Sequence, residues 1–177
     1  GESVAVDDMF RNEWAYVKEC LDTNFVSSVG PFVDRFERLV AECLGARHAV
    51  ATVNGTAALH IALLVAGVQP DDEVLVSALT FIAPANMIVL SGATLVLCDV
   101  DPRTLNLDPA LVEQRITAKT KAIIVVHQFG HAAPMDELMA IAKPRGIRII
   151  EDNAETPGGR YKGRLLGTFG DVSCFSF

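Results

Sequence analysis

Half of the 177 residues are hydrophobic, which is enough for one substantial core, and the chain fits one α/β domain or the larger part of a two-domain protein. The formal net charge of −7 disfavours a nucleic-acid partner, because phosphate backbones are bound by a surplus of Lys and Arg. The sequence shows neither a run of about 18 apolar residues nor a basic segment followed by an apolar stretch, so a membrane span and a secretory signal have no support.

Two amphipathic helices are predicted near the amino end. Apolar residues recur at helical spacing from Met9 to Leu21 and again from Phe32 to Cys43. Pro31 suits the first turn of the second helix, and Gly45 is placed to end it.

Short apolar runs then alternate with helical stretches. The predicted strands are Ala49 to Val53, Glu73 to Val76, Thr94 to Cys98, Lys121 to Val126, Ile147 to Ile150 and Val172 to Phe177. The predicted helices are Ala57 to Ala66, Ala83 to Leu90, Pro109 to Ile116 and Met135 to Lys143. This alternation indicates an α/β fold with a mostly parallel sheet covered on both faces. Ligands of such sheets bind beyond the carboxyl ends of the strands, so functional residues are expected directly after each run.

The segment Asn54-Gly55-Thr56 directly precedes an apolar helix. Gly55 permits a close approach, Thr56 adds a hydroxyl group, and the free amides at a helix start attract phosphate. The alternative is that Asn54 or Thr56 only caps the helix. Because the segment has neither Gly-Lys-Ser/Thr nor G-x-G-x-x-G, it is not a Walker loop and gives little support to a dinucleotide fold.

Phe81 follows the strand that begins at Glu73. Its flat ring is suited to stack on a heteroaromatic ring. The alternative is a core Phe under the following helix, because Phe is usually buried.

Two acids, Glu151 and Asp152, follow a predicted strand. Successive strand side chains point to opposite faces, so the two carboxylates cannot serve one ligand in the same way. We choose Asp152 as the group that would keep a pyridine nitrogen protonated, which makes such a ring an electron sink. A turn cap, a helix cap or a metal ligand is the alternative for these acids.

His127 also follows a strand and is a candidate substrate contact, with a structural role as the alternative. The four cysteines are widely spaced and form no C-x-x-C pattern, which argues against a zinc site. Their spacing fits reduced, buried thiols of a cytoplasmic protein.

In order and spacing, these motifs resemble the pyridoxal phosphate-dependent nucleotide-sugar aminotransferases of the DegT/DnrJ/EryC1/StrS type, which have fold type I. The resemblance covers nearly all of this chain and about the first half of a typical member. The matching segments are Asn54-Gly55-Thr56-Ala57-Ala58-Leu59, Leu79-Thr80-Phe81-Ile82-Ala83, Gln128-Phe129-Gly130, Pro134-Met135-Asp136, Glu151-Asp152-Asn153-Ala154-Glu155, Tyr161-Lys162-Gly163, Gly170-Asp171 and Phe175-Ser176-Phe177.

The resemblance implies a pyridoxal phosphate site built from this chain. Gly55 and Thr56 would bind the phosphate, and Phe81 would stack on the pyridine ring. Asp152 would pair with the ring nitrogen, and Ser176 would give its hydroxyl group to the phosphate.

Glu155 is assigned to the same cofactor. It stands where family members commonly have a Gln or His that approaches the phenolic oxygen, and it is more similar to the branch that makes 4-amino precursors of bacterial nonulosonic acids. An acid near a phenolate opposes its negative charge unless one of the two is protonated, so a solvated turn acid is the alternative.

The activity implied is amino transfer from an amino acid, with L-glutamate expected, to a nucleotide-linked keto sugar, by a cytoplasmic homodimer with a shared active site. Residues 1–177 would form the amino-terminal part of the cofactor-binding large domain. The small carboxyl-terminal domain and the cofactor-linking lysine are expected beyond Phe177, and Lys162 is interpreted as a surface hairpin residue. A sugar dehydratase of the same superfamily and a non-catalytic regulatory or scaffold domain are the alternatives.

Overall fold

The computed structural model describes residues 12–177. The chain divides into two compact units, Gly1–Ala51 and Thr52–Phe177. The first predicted helix therefore lies partly outside the described residues, since Met9 and Phe10 are not among them.

Two helices form the described part of the first unit, α1 (Glu13–Asp22) and α2 (Pro31–Leu44). Pro31 is the first residue of α2, and Gly45 ends the helix in the left-handed conformation with φ of 66°, so the predicted start and stop are both confirmed. Cys43, predicted to be buried, is exposed near the end of α2.

The strand predicted from Ala49 to Val53 does not form. Val50 and Val53 are exposed, and the amide of Ala51 donates a hydrogen bond to the carboxylate of Glu37 at 2.8 Å. A β-branched run makes a strand only where a neighbouring strand satisfies its backbone, and a side chain takes that place at Ala51.

The second unit alternates strands with helices. In chain order its elements are α3 (Gly55–Val65), β1 (Glu73–Ser77), α4 (Ile82–Leu90), β2 (Thr94–Cys98), α5 (Pro109–Arg115), β3 (Thr120–Val126), α6 (Met135–Ala142), β4 (Arg148–Asp152), β5 (Arg160–Tyr161), β6 (Arg164–Leu165) and β7 (Val172–Cys174). Short 3₁₀ turns lie at Gln128–Gly130 and Lys143–Arg145.

Five strands form one sheet in the order β2-β1-β3-β4-β7, and every neighbouring pair in it is parallel. Strands β5 and β6 form a separate antiparallel hairpin. The predicted parallel α/β fold is therefore confirmed. Because the five strands run the same way, their carboxyl ends lie at one edge of the sheet, and the residues that follow them meet there.

Side chains alternate between the two faces of this sheet. Val76, Ile124 and Ile150 pack in one apolar cluster with α3 and α4. Leu75, Ile123 and Ile149 pack in a second cluster with α5 and α6. Full burial of an aliphatic side chain contributes about 1.5–3 kcal/mol to folding, so both clusters stabilise the sheet that positions the edge.

Candidate functional site

The two acids at the end of β4 belong to different faces of the sheet. Asp152 is two residues after Ile150 on the strand, so its side chain points to the same face, which is the face covered by α3 and α4. Glu151 is two residues after Ile149, so its side chain points to the opposite face, which is covered by α5 and α6. The amino termini of α3 and α4 carry Gly55 and Phe81, so Asp152 shares its face with both candidate ligand-binding helix starts.

Gly55 begins α3 and lies against the segment after β7. A Cβ atom on Gly55 would lie 3.0 Å from Cβ and 3.4 Å from Oγ of Ser176. The side chain of Asn54 caps α3 by accepting a hydrogen bond from the amide of Ala57 at 2.9 Å. The capping role predicted as an alternative is thus present, and the Ser176 hydroxyl group lies beside the same helix start, where an anion is favoured.

Phe81 is the residue before α4, and 72% of its area is exposed. The alternative interpretation as a core Phe is therefore wrong. A ring that is exposed at a ligand-binding edge of a parallel sheet is available for stacking. The hydroxyl oxygen of the preceding Thr80 is buried with no hydrogen-bond partner among residues 12–177.

Asp152 is only 6% exposed, and its carboxylate accepts a hydrogen bond from the amide of Ala154 at 3.1 Å. Burial raises the pKa of Asp152 above its ordinary value. Its register partner on β7 is Cys174, whose pKa is raised to about 12 by burial and by the charge of Asp152. A cationic N–H group beside Asp152 would favour its ionised form.

Glu151 is fully buried and faces protein groups. It accepts hydrogen bonds from backbone amides of the turn 167–170, and its Oε2 lies 3.3 Å from Nε2 of His127. The alternation at the end of β4 thus separates a carboxylate used inside the protein from one at the candidate site.

His127 is also fully buried. Its Nδ1 accepts a hydrogen bond from the amide of Ala133 at 3.1 Å, and its Nε2 faces Glu151. Both ring nitrogens are engaged within the protein, so the structure gives His127 the structural role and no surface for the candidate substrate contact.

Glu155 is exposed, and its Oε2 accepts a hydrogen bond from the amide of Phe129 in the loop after β3. Phe129 has a left-handed backbone with φ of 53°, and 66% of its area is exposed. Glu155 therefore holds the neighbouring loop, and its predicted approach to a phenolic oxygen remains a prediction.

Asn106 was not singled out by the sequence analysis, yet it fixes the same loop. It is 1% exposed, accepts a hydrogen bond from the amide of Gln128 at 3.0 Å, and donates one to the carbonyl of His131 at 3.1 Å. The signal that the sequence offered is a polar residue between Leu105 and Leu107.

Lys162 lies between β5 and β6 in the antiparallel hairpin, as expected for a surface residue. Its Nζ is paired with Asp136 at 2.5 Å, and the pKa of Lys162 is raised to about 12, chiefly by this hydrogen bond. An amine held protonated in this way is a poor nucleophile at neutral pH.

The edge fits the three chemical parts of pyridoxal phosphate. The start of α3 beside Ser176 suits the phosphate, the exposed ring of Phe81 suits the face of the pyridine, and the buried carboxylate of Asp152 suits a protonated ring nitrogen. Within residues 12–177, no group of three or more His, Cys, Asp and Glu side chains is arranged to hold a metal ion, and no helix has the length and apolar character needed to cross a membrane.

Comparison with known proteins gives a match to the DegT/DnrJ/EryC1/StrS aminotransferase family over residues 7–177. A GDP-perosamine synthase of Caulobacter vibrioides is 48% identical over 175 residues, which cover 99% of this chain and 47% of that protein. The chain spans about half the length of the curated relatives it matches.

Solved structures agree with these matches. An aminotransferase from Psychrobacter cryohalolentis superimposes with a TM-score of 0.90 at 38% identity, over 94% of this chain and 42% of that one. NtdA from Bacillus subtilis, with bound cofactor PMP, superimposes with a TM-score of 0.88 at 32% identity, over 95% of this chain and 38% of that one.

Proposed function

Because the chain belongs to the DegT/DnrJ/EryC1/StrS aminotransferase family, we propose that it forms the pyridoxal phosphate-binding part of an enzyme that moves an amino group to a keto sugar of a nucleotide sugar. The amino donor is L-glutamate, and the product serves bacterial surface-glycan or amino-sugar biosynthesis. The matched residues cover 47% of the relative in Caulobacter vibrioides, so the activity of the whole enzyme is part of the proposal.

The observation that carries the proposal is the buried carboxylate of Asp152. Among residues 12–177 Asp152 forms no ion pair, and the burial of its carboxylate costs free energy, which is expressed in its raised pKa. A protonated pyridine nitrogen is the partner that would offset it. A buried carboxylate at this position is therefore expected in an enzyme that binds pyridoxal phosphate.

Each remaining residue of the proposed site has one task. Gly55 and Thr56 present the first turn of α3 to the phosphate, and Ser176 adds its hydroxyl group. Phe81 covers one face of the pyridine ring and excludes water from it.

When bound, pyridoxal phosphate supplies an electron-poor ring that stabilises negative charge at the carbon bearing the amino group. Asp152 would hold a proton on the ring nitrogen, because an ionised carboxylate beside that nitrogen favours its charged, protonated form.

The substrate is proposed to carry a guanosine diphosphate. This assignment follows the GDP-perosamine synthase that is 48% identical, and the nonulosonic-acid branch indicated by Glu155 is the alternative. We further place the enzyme in the cytoplasm, in line with its four free cysteines, and as a homodimer. Exposed apolar side chains on α3 (Ile61, Leu64 and Val65) are consistent with such an interface.

The test uses the intact protein loaded with pyridoxal phosphate. We expect L-glutamate to bleach its near-visible absorbance, a GDP-linked keto sugar to restore it, and ¹⁵N from labelled glutamate to appear in the sugar product. Loss of water from the sugar without ¹⁵N uptake would instead identify a dehydratase. Failure of the protein to take up the cofactor would point to a non-catalytic domain.

A further inference from the structure

The carboxylate of Glu151 organises the side of β4 that faces away from Asp152. It is 0% exposed, yet its Oε1 accepts hydrogen bonds from the amides of Phe169 at 2.7 Å and Gly170 at 2.6 Å. Its Oε2 accepts one from the amide of Gly167 at 2.8 Å. Burial alone raises the pKa of Glu151, but the hydrogen bonds from His127 and from these amides outweigh burial and place it below its ordinary value.

His127 is a further donor to Glu151, and its tautomer follows from its partners. Nδ1 accepts a hydrogen bond from the amide of Ala133 at 3.1 Å, so it carries no proton. A neutral ring then carries its proton on Nε2, which donates to Oε2 of Glu151 at 3.3 Å. The amide of Ala133 and the carboxylate of Glu151 thus together determine which nitrogen of His127 bears hydrogen.

The turn 167–170, whose amides donate to Glu151, is close in sequence to Ser176 of the candidate site. The turn 167–170 precedes β7, which ends at Cys174, two residues before Ser176. The turn packs closely on its neighbours: a Cβ atom on Gly167 would overlap the ring of Phe175, the residue before Ser176, and one on Gly170 would lie 2.6 Å from the carbonyl oxygen of Ile149. The position of Ser176 beside Gly55 therefore depends on this turn.

Through His127, Glu151 also contacts the loop that follows β3. His127 directly precedes Gln128–Gly130, and its hydrogen bond from the amide of Ala133 joins the two ends of this loop. The same loop carries Phe129, whose amide donates to Glu155. Glu151 is therefore connected to the loop that follows β3 and to the turn that precedes β7, and these are the two strands next to β4.

We propose that Glu151 is a positioning residue for the cofactor site: its buried carboxylate accepts the Nε2–H of His127 and fixes the turn 167–170, and thereby sets where Ser176 and the Phe129 loop lie relative to Asp152. The cofactor part of this inference rests on the proposed function.

Replacement of Glu151 by Gln tests the arrangement sharply. Each carboxylate oxygen accepts two N–H groups, from His127 and Gly167 at Oε2 and from Phe169 and Gly170 at Oε1. Whichever way the amide of Gln turns, its NH₂ group meets two donors. The conservative change therefore breaks the network, although its volume is nearly the same.

A matched control is Asp171→Asn. Asp171 is also a carboxylate bound to the backbone of β4, accepting from the amide of Ile149 at 2.9 Å and pairing with Arg148 at 2.7 Å. It lies at the amino end of β4, away from the carboxyl edge. A general loss of sheet stability should therefore appear in both variants, and a loss of cofactor positioning only in Glu151→Gln.

The experiment uses the intact protein and pyridoxamine 5′-phosphate as the probe. We expect long-range ¹H–¹⁵N spectra of ¹⁵N-histidine-labelled protein to show the Nε2–H tautomer for His127, and Glu151→Gln to shift the Nε2 resonance, because the carboxylate that accepts this proton is replaced. We expect the affinity for the probe to fall by about tenfold or more in Glu151→Gln and to stay unchanged in Asp171→Asn. If the Gln variant is insoluble, Glu151→Asp keeps every acceptor with a shorter reach and should weaken probe binding in the same direction.

Unchanged probe affinity in the Glu151 variants, or an Nδ1–H tautomer in the unmodified protein, would overturn the inference while leaving the proposed function intact. Failure of the unmodified protein to bind the probe would overturn the proposed function, and the cofactor part of the inference with it.

Discussion

Gly55 and Ser176 approach each other so closely that a methyl group on Gly55 would lie 3.0 Å from the Cβ atom of Ser176. The two residues come from opposite ends of the second unit, at the start of α3 and just after β7. Their contact brings a helix amino terminus and a hydroxyl group together, and this pairing is the basis of the proposed phosphate site.

Gly55→Ala should weaken binding of pyridoxamine 5′-phosphate, because the added methyl group pushes Ser176 away from the start of α3. Ser176→Ala serves as the matched variant, since it keeps the Cβ atom and removes only the hydroxyl group. Calorimetric titration should show a loss in both variants, with a lower midpoint of thermal unfolding in Gly55→Ala alone. Equal binding by all three proteins would remove this pair from the phosphate site.

Asp152→Asn should make the protein without cofactor more stable at neutral pH. A carboxyl group whose pKa is raised on folding contributes stability below its unfolded pKa, about 3.9, and loses it as pH rises through the higher folded pKa. The neutral amide removes this loss, so the difference between the two proteins should grow with pH above about 4 and vanish below it. Thermal unfolding over this range measures the difference.

The same Asp152→Asn change should lower turnover of the loaded enzyme by several orders of magnitude, because an amide does not hold the ring nitrogen protonated. A variant that is more stable but inactive separates the catalytic role from a folding role. Near-normal turnover would contradict the assignment of Asp152.

Phe81→Ala should leave the free energy of unfolding within about 0.5 kcal/mol of the original, because 72% of the side chain is exposed. Binding of pyridoxamine 5′-phosphate should nevertheless weaken, since ring stacking contributes about 0.5–1.5 kcal/mol beyond buried area. Leu79→Ala, two residues earlier and 39% exposed, is the control and should not change binding. A large loss of stability in Phe81→Ala would contradict the exposed position.

Phe129→Gly should stabilise the protein by about 1 kcal/mol, because a left-handed backbone costs an L-residue about 1–2 kcal/mol and costs glycine little.

Glu155→Ala should destabilise the protein, since the amide of Phe129 loses its acceptor, while Glu155→Gln keeps a carbonyl oxygen in place. Chemical unfolding of the three variants measures these changes. If Glu155→Ala leaves the free energy of unfolding unchanged, the hydrogen bond from the amide of Phe129 to Glu155 does not stabilise the loop.

Much of the fold was predictable because local pattern and tertiary environment agree in it. The apolar runs of β1, β3 and β4 are buried on both faces, so their composition alone indicated parallel strands between helices. The start of α2 at Pro31 and its end at Gly45 depend on backbone restrictions within a few residues, and both were correct. The strand predicted from Ala49 to Val53 was wrong, because a strand needs a neighbouring strand to satisfy its backbone, and a pattern of apolar residues does not show whether one is present.

The sequence by itself determined the alternation of strands and helices, the residues after each strand and the opposite directions of Glu151 and Asp152, because these follow from side-chain periodicity along one element. Tertiary structure alone decided which carboxylate meets the candidate site, since this depends on α3 and α4 covering the face of Asp152. It likewise left Phe81 exposed and enclosed His127 between Glu151 and Ala133. Exposure and hydrogen-bond partners are set by segments distant in sequence, and they become known only when the sheet brings those segments together.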